Sequence, residues 1–208
     1  MSDYVLFGKP GWGSAIVEAM LELARVPYRV EPVDPLEPSP ARERMAKLNP
    51  LVQVPTLLLP DGTVMTESAA IALYLADQVP GLAPPAGSPD RAGFLRWLVY
   101  LVAAIYPTFT YGDWPERYVS DPAAAKAFRE KTDAVRETNW RQLEGAAAAN
   151  PWFLKSGFSV LDIYIRMMTT WRPRRAWFQT NCPKLHAIAV AADNEPRLAA
   201  IWARNTPG

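Results

Sequence analysis

Along the first 78 residues the spacing of apolar positions keeps changing period, and each change marks an element. Residues 4–7 form a short apolar run that fits a buried strand. Beyond the loop 8–13, Ile16, Met20, Leu23 and Ala24 recur at i, i+4, i+7 and i+8, one face of a helix that Pro27 follows. Residues 28–33 fit a second strand, parallel to the first through a right-handed crossover. A proline-broken connection leads to a polar helix at 41–48. Two short runs, 56–59 and 63–66, flank Pro60-Asp61-Gly62, where Asp-Gly is a strong hairpin signal. A final helix at 68–77 completes the order βαβαββα. The proline-rich stretch 79–89 reads as a linker.

After the linker the pattern becomes helical throughout. Phe94, Leu98, Leu101 and Ile105 lie on one stripe of a helix over 90–106, which Pro107 is expected to end or kink. Asp121-Pro122 supplies an N-cap and a proline at the first helical position, opening a helix with Ala124, Phe128, Val135 and Leu143 at helical multiples. Asn150-Pro151 stops it. Residues 159–171 are apolar nearly all round, which a helix tolerates only when enclosed. Helical stretches around 184–192 and 196–205 follow, and no internal repeat is visible. Three regions result: an α/β unit at 1–78, the linker, and an all-α unit at 90–208.

Composition narrows the function classes. The chain has 208 residues, half of them apolar, with 22 Lys+Arg against 21 Asp+Glu and a net charge of +1. Such a chain is globular, and it lacks the basic footprint that neutralises phosphates, so nucleic acid is not an expected partner. One cysteine, Cys182, and one histidine, His186, allow neither an internal disulfide nor a closed Cys/His zinc site. No metal is expected, both residues read as structural, and a reducing, cytoplasmic compartment fits. The opening residues carry no signal-peptide pattern. Even the longest apolar run is expected to stop at Pro107, short of the roughly 18–20 residues of a membrane helix, so no membrane partner is expected.

Candidate chemistry gathers at three places in the first unit. Ser14 stands where the first helix begins, and there unsatisfied N–H groups and a hydroxyl can stabilise an anion; the alternative is a plain helix cap. Pro55, in Gln53-Val54-Pro55-Thr56, withholds an N–H from the adjoining strand, and a cis Val54-Pro55 bond would turn the neighbouring backbone toward a ligand. Glu67-Ser68 lies where the hairpin hands over to a helix, able to hold an amino group and a carboxylate together or simply to cap.

The element order, the hydroxyl at the first helix start, and the block VPTLLLPDGTVMTESAAIALYLAD at residues 54–77 resemble the glutathione transferase superfamily. The likeness runs over essentially the whole chain, to Gly157-Phe158-Ser159-Val160-Leu161-Asp162. It implies a thioredoxin-like first domain, an all-helical second domain, a cytoplasmic homodimer, and glutathione as co-substrate in detoxifying a small hydrophobic electrophile. By position, Val54 ahead of a cis Pro55 would pair its backbone with the cysteinyl part, a short strand addition. Glu67 and Ser68 would hold the γ-glutamyl end, and Gln53 would approach the tripeptide backbone. Ser159 and Asp162 match a capping box and read as structural.

The resemblance implies a task of known size. A free thiol has a pKa near 8.5, and lowering it by about two units requires roughly 2.7 kcal/mol of thiolate stabilisation. A hydroxyl hydrogen bond to an anion, roughly 1.5–3 kcal/mol, with up to about 1 from a helix terminus, is of that order. Ser14 is the expected catalytic donor. In relatives with a catalytic cysteine its place falls at Gly13 here, and the tyrosine of other classes falls at Gly8, so mixed-disulfide chemistry lacks its nucleophile. Trp12 walls the second-substrate pocket or fills a gap between domains. Tyr106, Thr110, Tyr111 and Trp114 are further candidates for the hydrophobic site. The run Trp171-Arg172-Pro173-Arg174-Arg175-Ala176-Trp177 reads as an ion-paired or solvated face, with attraction of an acidic co-substrate as the alternative. Two other functions stay open: a non-catalytic glutathione-binding or protein-interaction member of the fold, and a glutathione-dependent isomerase or dehalogenase.

Overall fold

The computed structural model describes residues 3–206. In the first domain, β1 (Tyr4–Gly8), α1 (Ser14–Ala24), β2 (Tyr28–Pro32), α2 (Pro40–Leu48), β3 (Thr56–Leu58), β4 (Val64–Met65) and α3 (Ser68–Gln78) form one sheet with strand order β2-β1-β3-β4. The strands β1 and β2 run parallel, while β1–β3 and β3–β4 are antiparallel. This is the expected βαβαββα order, a thioredoxin-like domain. Every residue of β1 is buried, as a central strand covered on both faces requires. The hairpin between β3 and β4 turns at Gly62, whose φ of 89° is a conformation glycine adopts without a side-chain clash.

The second domain is helical: α4 (Arg91–Tyr100), α5 (Tyr106–Asp113), α6 (Pro122–Ala146), α7 (Val160–Met168), α8 (Arg175–Asn181), α9 (Pro183–Asp193) and α10 (Ala199–Asn205). Helix α7 is buried along its whole length, the enclosed position that its uniformly apolar sequence predicts. It packs against α9 and against α1 of the first domain. One continuous core therefore spans both domains, from Leu6, Ile16 and Met20 to Ile163, Met167 and Phe178. Each of these large side chains contributes roughly 1.5–3 kcal/mol by leaving water.

Three expectations are corrected. Pro107 does not end its helix. A π-helical stretch, Leu101–Ile105, joins α4 to α5, and the Tyr106 N–H donates five residues back to the Leu101 carbonyl. The wider turn makes room for a ring that would otherwise meet the preceding carbonyl. The resulting helix, Arg91–Asp113, has 23 residues and is long and apolar enough by length and composition to cross a membrane, although Phe94, Leu98, Leu101 and Ile105 are sealed in the core.

The inward face of α6 is Thr132, Arg136, Trp140 and Leu143, whereas Val135 is 52% exposed. Arg136 is buried because its polar atoms are matched: Nε donates to Thr108 Oγ1 at 3.2 Å, Asp133 pairs with it, and its guanidinium stacks on Phe109. A count of apolar residues alone misses such a position. Finally, α7 ends at Met168 and the Trp/Arg run that follows turns into α8.

Candidate active site

The entrance to α1 is fixed from the far end of the chain. Gly11, with φ of 77°, donates its N–H to Asn205 Oδ1 at 3.2 Å and accepts from Trp171 Nε1 at 2.8 Å. Asn205 also donates to Glu18 at 2.8 Å, and Arg204 donates to the same carboxylate at 2.7 Å. This loop is therefore held by residues roughly 160 and 190 positions away, a tether that the sequence does not announce. At its end α1 begins without a side-chain cap. Among the described residues no acceptor meets the N–H groups of Gly13 or Ser14. A helix start left open in this way favours a negatively charged ligand.

The second side of the site is the loop before β3. Asn49 is buried and donates to the Gln53 carbonyl at 3.2 Å and to Thr56 Oγ1 at 3.0 Å, while Thr56 donates to the same carbonyl at 2.7 Å. With Gln53 anchored this way, Val54 follows with its own N–H and C=O free of partners among the described residues. The Val54-Pro55 bond is cis. The third side is the start of α3. Glu67 takes φ of 61° just before the helix, and Ser68 is buried, its Oγ accepting from Tyr164 Oη at 2.7 Å. With its acceptor role taken, the Ser68 hydroxyl proton is free to point elsewhere.

These three sides face a wall of the second domain across a cleft of about 900 Å³. Trp12, Gln53, Val54, Pro55, Glu67, Ser68, Tyr106, Thr110, Tyr111 and Trp114 all line it, as do Gly11, Gly13 and Trp171. The apolar wall is built of edge-on aromatic pairs: Tyr106 and Phe109 each meet Trp171 at ring separations of 5.4 and 5.1 Å. Trp12 reaches Trp114 at 6.1 Å, with Lys9 Nζ 4.3 Å from its ring centre. Trp12 therefore walls the cleft and also bridges the domains.

Ser14 is the exception, and the expectation that it faces the cleft is corrected. It is buried, its Oγ accepts from the Lys9 N–H at 3.0 Å and donates to the Lys9 carbonyl at 3.1 Å. It lines a separate, smaller cavity, with Glu18, Tyr28, Arg204 and Asn205. A closed pair of bonds to one residue locks the loop and leaves the hydroxyl nothing to offer a ligand. Gly8 belongs to the same arrangement, since a Cβ there would press on Ser14 at 3.0 Å.

Other candidates make structural contacts, although Arg172 also lines the cleft. Arg172 pairs with Asp113 at 2.8 Å and Arg175 with Asp193 at 2.9 Å, so two of the three arginines of the Trp/Arg run are ion-paired. Cys182 is buried, and that burial pushes its thiol up to about 12. Ser159 and Asp162 form a complete capping box at the start of α7. Among the described residues no group of three His, Cys, Asp or Glu side chains is placed to hold a metal.

A thioredoxin-like sheet opening on an aromatic cleft roofed by a helical domain is the glutathione transferase fold. The sequence profile of the glutathione S-transferase N-terminal domain matches residues 14–78. An uncharacterized GST-like protein of Escherichia coli (strain K12), YncG, is 42% identical over 96% of this chain and 97% of its own length. Glutathione S-transferase GstA of Escherichia coli O157:H7 is 34% identical over 60% of this chain and 59% of its own. A sphingomonad glutathione S-transferase solved in complex with glutathione superposes with a TM-score of 0.80 at 27% identity, covering 98% of this chain and all of that one. The chain belongs to the glutathione S-transferase superfamily.

Proposed function

We propose that the protein binds glutathione in the cleft and activates its thiol for attack on a small hydrophobic electrophile. The observation that carries this reading is the convergence on one cleft of a partner-free Val54 backbone, the Glu67-Ser68 pair at the start of α3, and an aromatic wall. Val54 suits the backbone of an extended peptide. Ser68 and the α3 N-terminus suit the γ-glutamyl carboxylate, Glu67 its ammonium, and Gln53 the peptide between. Trp12, Tyr106, Thr110, Tyr111 and Trp114 border the space where an apolar co-substrate would lie beside the sulfur. Glutathione bound in the sphingomonad relative supports the same assignment. We further propose that 1–78 and 90–208 are the two functional units joined by 79–89, and that the protein works as a cytoplasmic homodimer in detoxification.

A non-catalytic, glutathione-binding role is the second reading. It is favoured by the position of Ser14, since neither a hydroxyl nor a thiol of the α1 loop reaches the cleft. The deciding experiment titrates glutathione by calorimetry and then follows a generic electrophile. Binding with turnover supports the transferase, binding without turnover supports the passive member, and no binding overturns both.

A further inference from the structure

Gly13 lacks a side chain at the point where the α1 loop meets the cleft, and another residue fills the space. A Cβ built on Gly13 would lie 2.0 Å from Tyr106 Oη and 3.1 Å from its Cζ. No side chain fits there while the tyrosine stays in place. The hydroxyl arrives from the second domain and takes the position from which a residue of the loop would act. It lies against the open start of α1, next to the partner-free N–H groups of Gly13 and Ser14.

That hydroxyl is free, and its ring is not. Tyr106 lines the cleft, and its Oη has no hydrogen-bond partner among the described residues, whereas Tyr164 nearby donates to Ser68. The ring is held edge-on by Trp171 at 5.4 Å and by Phe109 at 6.5 Å. Trp171 in turn clamps the Gly11 carbonyl, so loop and tyrosine share one anchor. The π-helical stretch ends directly before Tyr106, and such turns occur frequently at functional sites.

We propose that the Tyr106 hydroxyl donates the hydrogen bond that stabilises the glutathione thiolate, in place of any side chain from the α1 loop. The proposal rests on glutathione binding in this cleft. Burial first, and Glu67 second, push the ionisation of this phenol well above its ordinary range, so it stays protonated and serves as a donor, not as a base. The thiol proton leaves to solvent and Tyr106 keeps its own. The sulfur lone pair then forms the S–C bond as the electrophile's leaving group departs with the electrons of the bond that breaks.

The test compares wild type with Tyr106→Phe, recording the ultraviolet thiolate band of bound glutathione against pH, with S-methylglutathione affinity measured by calorimetry. The expected result is a thiolate midpoint raised by about one pH unit or more, a tenfold lower thiolate fraction below the midpoint. S-methylglutathione, which has no thiol to ionise, should bind both proteins within about twofold, a small shift on the free-energy scale. Arg42, Glu67, Asp113, Arg117 and Arg172 in the cleft, and Arg136 behind Phe109, are present in both proteins and cannot produce the difference. A second variant, Gly13→Ala, sets a methyl group against the hydroxyl and should raise the midpoint in wild type but much less in the Tyr106→Phe background. Equal midpoints in wild type and Tyr106→Phe overturn the proposal, as does a saturated wild type without a thiolate band; both leave glutathione binding standing. Failure of wild type to take up S-methylglutathione overturns the binding reading and this one together.

Discussion

Of the helices that begin at a serine, α1 and α7 do so in opposite ways. At α7 the cap is closed: the Asp162 carboxylate accepts from the Phe153 and Ser159 N–H groups, each at 2.8 Å, and Ser159 Oγ accepts from the Leu161 N–H, all out of contact with water. At α1 the cap is open: Ser14 turns its hydroxyl back onto Lys9, and the Gly13 and Ser14 N–H groups meet no acceptor among the described residues. A closed helix start contributes stability, and an open one beside a cleft is where a ligand can complete the bonds. The contrast explains why one serine belongs to folding although both stand at a helix start, and why the other must be read from its hydrogen bonds before it is given chemistry.

Breaking the closed cap should produce the largest effect. Asp162→Ala strands two buried N–H groups and is expected to cost about 3 kcal/mol or more in denaturant unfolding; a loss below about 1 would mean that the box is not needed for folding. At the open site, Ser68→Ala and Glu67→Ala should each weaken glutathione by roughly tenfold or more, as expected for hydrogen bonds to charged groups; Glu67→Ala should leave unfolding nearly unchanged, whereas Ser68→Ala also strands the buried Tyr164 hydroxyl, at a cost of about 1–3 kcal/mol. Equal affinities by calorimetry would remove these residues from the site. Asn205→Ala should act on both properties, lowering stability by about 1–2 kcal/mol and weakening glutathione, because one amide ties Gly11 to Glu18.

The pH dependence separates the two helix starts further. Burial pushes the Asp162 carboxyl up to about 7, against the pull of its N–H donors, from an ordinary value of 3.8. A group raised in the folded state stabilises fully below its unfolded value and loses that contribution as pH rises through the folded one. Stability should therefore decline between about pH 4 and pH 7 through this residue, and Asp162→Asn should remove that part of the slope in unfolding curves taken across the range. The smallest effect belongs to Ser14→Ala, expected to change turnover by less than about twofold while costing about 1 kcal/mol of stability through the loop. A tenfold fall in kcat/KM would return Ser14 to the cleft.

Much of this was readable from the chain because its cues are local. Short apolar runs, period-3.6 patterns, Asp61-Gly62 and the capping residues act within a few positions, so the order βαβαββα and an enclosed α7 could be expected from local cues. The stretch 53–77 carries two of the cleft's three sides, and its resemblance to the glutathione transferase superfamily let Gln53, Val54, Glu67 and Ser68 be named together. Boundaries set by long-range packing were not readable. Pro107 predicts a break only until the π-helical turn absorbs its ring, and Arg136 reads as a surface charge until Thr108, Phe109 and Asp133 close around it.

The amino-acid order by itself determined the thioredoxin-like half and the helical half, because short-range conformational preference and apolar periodicity are properties of neighbours, and its family resemblance pointed to most of the residues that line the cleft. Only the tertiary structure decided which hydroxyl faces that cleft. A linear reading favours Ser14 as the donor and gives Tyr106 only to the hydrophobic site; the way each hydroxyl faces depends on Lys9, Gly13, Trp171 and Asn205, groups brought together from both ends of the chain. A side chain's direction is set by what packs around it, and that information is absent until the two domains meet.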